Sequence, residues 1–160
     1  MPTATYIPLA TTTVAIAAAS ITFGSIPATY RDLILVFDGV VSLGGGEVVQ
    51  VSFNGDTTAA NYPVTYADGD GSGRSSGLDT TNRRFALIYP ARTNFISHIM
   101  DYSTTDKHKT FLNRINGPSN VVAINAGRWA NTAAITSITI ATGANAFGAT
   151  STVSLYGVIS

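Results

Sequence analysis

In the stretch ADGDGSGRSSGLD, from Ala67 to Asp79, side-chain oxygens recur at the spacing of a calcium-binding loop. Asp68, Asp70, Ser72 and Asp79 stand at positions 1, 3, 5 and 12 of such a loop, and Gly73 stands at position 6. Calcium takes six to eight hard oxygen ligands, and this spacing offers carboxylates and a hydroxyl on one turn. Other features weigh against a metal. Position 12 usually carries a bidentate Glu, and Asp79 is shorter. Ser75, at position 8, is no apolar anchor, and no helix pattern flanks the loop. The glycines between 69 and 77 would have to be ordered, at about 1–2 kcal/mol of backbone entropy each. The expectation is a solvent-facing connector without a metal. Asp68, Asp70 and Asp79 are the residues that would ligate one if any did.

Two histidines, His98 and His108, lie in neighbouring predicted strands with Asp101 and Asp106 nearby. A metal centre needs two or three such groups converging, and the plain expectation is one half-buried histidine and one solvated one. Nucleophilic catalysis has no G-x-S-x-G elbow to rest on. Glycoside hydrolysis needs paired carboxylates, and Glu47 is the single glutamate, beside a glycine loop. The string GDGSG has no strand-to-helix setting, so it is no phosphate loop. With no cysteine, disulfides and thiolate metal sites are excluded. The chain is expected to be no enzyme and to carry no cofactor. Trp129, the single tryptophan, offers either an aromatic platform for a host glycan or a plug for one end of the fold.

These groups must be positioned by strands. EVVQVSFN puts Val49, Val51 and Phe53 on one face, and TSITI and STVSLYGVI alternate in the same way. The pattern predicts strands at 4–9, 12–17, 20–23, 32–40, 47–54, 62–67, 84–89, 94–103, 108–116, 121–129, 135–142 and 151–159. Asn54-Gly55 and Asn116-Gly117 tolerate positive φ and mark turns. TVAIAAAS has no polar face and is expected to be extended. Many short strands without a long helix predict an all-β, two-sheet β-sandwich, jelly-roll-like, as a single domain over 11–160. Residues 1–10, MPTATYIPLA, read as an extended N-terminal arm in which Tyr6, Ile7, Pro8 and Leu9 are the contact residues.

Nine Lys and Arg balance nine Asp and Glu in 160 residues, and charged residues make up only 11%. A neutral chain speaks against nucleic-acid binding. No apolar run approaches the ~18 residues that suggest a membrane span. The first basic residue is Arg31, so the N-terminus is not expected to be a signal peptide. So few charges imply a surface covered by partners, because a lone domain keeps more for solubility.

Four segments carry a resemblance: ASITFGSIPATYRDLILV, VSFNGDTTAANY, DYSTTDKHKTFLNR and RWANTAAITSITIATGANAFGATSTVSLYGV. In this order, from about Ser20 to Val158, the chain resembles a family of small virion structural proteins of tailed bacteriophages. The F-N-G-D-T turn at Phe53, the Y-S-T-T…K-T-F-L stretch from Tyr102 and the L-Y-G at Leu155 are its more specific parts. The resemblance implies a β-sandwich, no catalysis and variation over residues 68–79, and it leaves head and tail both open. The leading expectation is a capsid decoration or cement protein on the outer surface of the head, made in the host cytoplasm. Its partners would be the major capsid protein and its own copies, as a trimer, with no nucleic acid or membrane. The alternative is a tail fibre or receptor-binding module, with Trp129 against a glycan.

Overall fold

Alternating side chains and turn-forming punctuation build twelve strands in the computed structural model, which describes residues 5–42, 44–118 and 120–159. They are β1 (Tyr6–Thr13), β2 (Ser20–Phe23), β3 (Asp32–Gly39), β4 (Glu47–Phe53), β5 (Val64–Gly69) and β6 (Arg74–Asp79). There follow β7 (Arg84–Ile88), β8 (Thr93–Met100), β9 (Lys109–Asn116), β10 (Val122–Trp129), β11 (Ile138–Thr142) and β12 (Thr152–Val158). One 3₁₀ turn, Ala59–Asn61, is the sole helical element among the described residues.

The strands form an eight-stranded sheet, β1-β12-β3-β8-β9-β10-β5-β6, and a four-stranded sheet, β2-β11-β4-β7. Every pairing is antiparallel. The fold is therefore the expected two-sheet β-sandwich, divided eight and four. One face of each sheet is apolar and must be buried against the other. Leu33, Leu35 and Phe37 of β3 and Phe95 and Ile99 of β8 meet Val49, Val51 and Phe53 of β4 and Ile138 and Ile140 of β11 in one core. Aromatic rings tie the layers together: Phe53 stands edge-on to Phe111 and Trp129, and Phe85 edge-on to Phe95.

Turn chemistry follows the expected residues at Asn54-Gly55 and not at Asn116-Gly117, where neither residue has positive φ and Asn120 takes it instead. Asn54 and Gly55 both take positive φ after β4. Asn54 also clasps the opposite loop: its Oδ1 accepts from the Thr136 and Ser137 amides, and its Nδ2 donates to the Ala134 carbonyl.

Two expectations need correction. The strands expected at 4–9 and 12–17 are one strand, β1, whose register on β12 shifts between Pro8 and Ala10. The irregularity and Pro8 suit an outermost strand, because both blunt further pairing. The boundary drawn at residue 10 falls inside β1, and residues 1–4 of the expected arm lie outside the described residues. Second, the expected connector over 68–79 is a β-hairpin. β5 and β6 pair from Val64↔Asp79 to Gly69↔Arg74. Arg-Ser-Ser-Gly carries little intrinsic strand preference, and β5 supplies the ladder that makes it a strand.

Candidate interaction face

The hairpin of β5 and β6 disperses the candidate calcium ligands. Asp68 and Asp79 stand opposite Ser75 and Val64, four residues apart along the ladder, or about 13 Å. Asp70 Oδ1 accepts from the amides of Ser72 and Gly73, which closes the hairpin turn. Those amides hold its carboxyl below the usual range. Asp79 does the same for the next turn, accepting from the Thr81 and Asn82 amides. Asp68 lies 3.8 Å from Arg84 Nη2. The calcium-like spacing is thus turn capping, and no group of three His, Asp or Glu suited to a metal occurs among the described residues.

Trp129 is corrected as a glycan platform. It is 1% exposed, with its ring against Phe53 and its Nε1 donating to Asp56 Oδ2 at 2.8 Å. Burial pushes the Asp56 carboxyl up, but hydrogen bonds from Trp129, Asn61 and Thr58 outweigh it and bring it to about 2. Trp129 is the plug at one end of the sandwich. The histidines do not converge either. His98 Nε2 meets Asp32 Oδ2 at 2.9 Å, and His108 is exposed beside β9. Asp32 is buried and also accepts from the Arg31 guanidinium and the Asp101 amide.

What the tertiary structure assembles instead is a broad uncovered face. Partnered residues in an antiparallel sheet share a side. On the outer side of the eight-stranded sheet, one row reads Tyr156, Ile34, His98, Leu112 and Ala126. The next reads Ser154, Val36, Ile96, Arg114 and Ile124. Exposure is 37% at Ile96, 39% at Leu112, 45% at Ile124 and 60% at Val122. Tyr6, Pro8 and Val158 extend the surface at one margin and Leu78 at the other. Between Tyr6, Ile34, Val36, Ile96, Leu112 and Arg114 runs a groove of about 400 Å³.

The four-stranded sheet is the internal comparison. Its outer side carries Ser20, Thr22, Thr139, Gln50 and Ser52 beside Val48, Leu87 and Ala141, and the Thr22 and Thr139 hydroxyls bond across strands at 2.8 Å. The larger sheet differs in the exposed aliphatic side chains Ile96, Leu112, Ile124 and Val122, which stand among polar residues such as Asn94, Thr110 and Asn116.

Charge is as unevenly distributed. Glu47 accepts from the Gly143 and Ala144 amides. Asp38 pairs with Arg92, and Asp101 with Lys107. With Asp32, Asp56, Asp68, Asp70 and Asp79 engaged as above, Asp106 alone among the nine acids makes no hydrogen bond or ion pair with the described residues. The basic residues are used differently. Lys109 is buried with its Nζ on the Lys107 and Thr132 carbonyls, and Arg83 holds Gln50 and the Val51 carbonyl. Arg74, Arg114 and Arg128 make no ion pair among the described residues. All three stand on the outer side of the eight-stranded sheet, partnered with Gly69, Ile124 and Thr110.

Sequence reasoning named Tyr6, Ile7, Pro8 and Leu9 as contact residues. Tyr6 and Pro8 share the outer side with Val158 and Tyr156, while Leu9 packs against the core and Ile7 pairs with Gly157 of the inner row. The other residues of the face were not named one by one, although the runs DLILVFDGV and VVAINAGRW, apolar on both sides, read as central strands or strands covered by a neighbouring chain. Comparison with protein-family models, curated proteins and solved structures finds no match.

Proposed function

We propose that this chain is a structural subunit of a bacteriophage particle, a decoration or cement protein that binds the outer surface of the head. The observation that supports the reading is the set of exposed aliphatic side chains, Ile96, Leu112, Ile124 and Val122, on the outer side of the eight-stranded sheet. Exposed aliphatic side chains left to water favour association, and covering them contributes about 25 cal/mol per Å² before the costs of association. Stabilisation of the shell is then non-covalent. The reading also takes the subunit to act as a homo-oligomer, a trimer, since symmetric assemblies repeat one contact.

Mixing the purified chain with heads that lack it, then sedimenting them, tests the reading. Saturable co-sedimentation and a raised thermal threshold for head rupture are expected. Binding to tails but not to heads would move the protein to the tail. Sedimentation velocity of the free chain tests the trimer.

A further inference from the structure

The outer side of the eight-stranded sheet combines two features that point to one kind of occupant. It is aliphatic through Ile34, Val36, Ile96, Leu112 and Ile124, and it carries Arg74, Arg114 and Arg128 with no acidic partner. The acids on the same side are already taken: Asp38 by Arg92, and Asp32 by Arg31 and His98. A chain of net charge zero therefore presents a positive, apolar face.

We propose that this face docks onto a second, different protein whose surface is apolar and bordered by carboxylates. The inference rests on the assembly reading above and adds the face used and the chemistry of the partner. A second copy of the chain is the wrong occupant. Face against face, it would set the arginines of one copy against a surface whose own carboxylates are consumed, and like charges in a drying interface are costly. Nucleic acid is the wrong occupant as well. A phosphate backbone needs a dense basic track, and here arginines alternate with aliphatic side chains that phosphates cannot cover. A protein surface of leucine- or tyrosine-like groups with Asp or Glu at its rim meets both requirements. The planar guanidinium then binds carboxylate in a fork while the aliphatic rows exclude water.

The test uses the full chain and the variant Arg114→Glu/Arg128→Glu, whose substitutions lie at exposed positions and are expected to leave the thermal melt unchanged. Two probes are used, undecorated heads and a random copolymer of glutamate and tyrosine, with polyglutamate and duplex DNA as comparisons. The wild type is expected to bind heads and copolymer, more weakly as salt rises, and to prefer the copolymer to polyglutamate and to DNA. The variant should bind both probes at least tenfold more weakly. Leu112→Ser should weaken binding without changing the sedimentation of the free chain. Arginine-independent binding to both probes, or binding to neither, overturns the proposal. DNA bound as tightly as the copolymer, or an oligomer lost in Leu112→Ser, overturns it in favour of nucleic acid or a second copy. If the copolymer is bound in an arginine-dependent way and heads are not, the particle reading fails and the face assignment stands. If heads are bound equally by wild type and variant, the reverse holds.

Discussion

The indole Nε1 of Trp129 donates to Asp56 Oδ2 at 2.8 Å, joining residues 73 positions apart. The bond closes one end of the sandwich. Asn61 Nδ2 reaches the same carboxylate, and the Tyr62 hydroxyl donates to the Asp56 carbonyl while accepting from the Phe53 amide. Trp129→Phe keeps most of the ring but leaves the carboxylate short of a donor, and should cost about 1–3 kcal/mol in urea unfolding. Trp129→Ala should cost about 3–5 kcal/mol. A Trp129→Phe variant as stable as the wild type would mean that the indole N–H contributes nothing.

The same carboxylate sets an acid limit on the fold. Its folded value of about 2 lies below its ordinary 3.8, so the unfolded chain binds the proton more readily. The stabilisation is therefore complete above about pH 4 and is lost as the pH falls towards 2. Thermal melts of wild type and Asp56→Asn should converge over that interval, the variant being less stable at neutral pH and flatter in acid. A constant gap from pH 6 to pH 2 would contradict the assignment.

Calcium should leave the protein unmoved. The Asp70 and Asp79 carboxylates already accept backbone amides at their turns, and binding a cation would compete with those bonds. The melting temperature is expected to be the same in calcium and in chelator. Asp70→Ala should cost about 1 kcal/mol through its turn, in both conditions alike. A calcium-dependent rise of several degrees, abolished in Asp68→Ala, would bring the metal site back.

Removing residues 1–10 is no longer the loss of a detachable arm. The cut takes Tyr6 to Ala10 from β1 and strips part of β12 of its partner, leaving a new open sheet edge. We expect a destabilisation of about 1–3 kcal/mol, a melting temperature lower by roughly 3–10 °C, and a tendency to aggregate. A truncated chain that melts like the wild type would restore the separate-arm description.

Gly127 is expected to resist substitution. A Cβ there would run into the ring of Phe111, which is buried in the core. Gly127→Ala should cost about 1–3 kcal/mol by overpacking. Gly55→Ala tests a different cause, since a Cβ there meets nothing within 4 Å and only its positive φ resists the change.

Much of the architecture is local and hence legible in the sequence. The alternation of EVVQVSF buries Val49, Val51 and Phe53 because successive side chains of a strand leave opposite faces, whatever the strand pairs with. Asn54-Gly55 turns because both residues accept positive φ at little cost. What remained illegible depends on partners far along the chain. Arg74–Asp79 is a strand only because β5 offers it a ladder, and an isolated Ser-Ser-Gly has no reason to extend. Ile135, placed by pattern in a strand, lies before β11 and donates its amide to the Tyr102 carbonyl.

The sequence by itself determined an all-β chain with few charges and no catalytic motif, since composition and period two are properties of neighbours. Only the tertiary structure decided what the special residues do. Trp129 is a plug and not a platform because a residue 73 positions away supplies its acceptor. Arg74, Arg114 and Arg128 share one open face because β6, β9 and β10 join one sheet. The apolar outer residues of β3 and β10 were readable in the sequence, but only the strand order brings them to one side of one sheet.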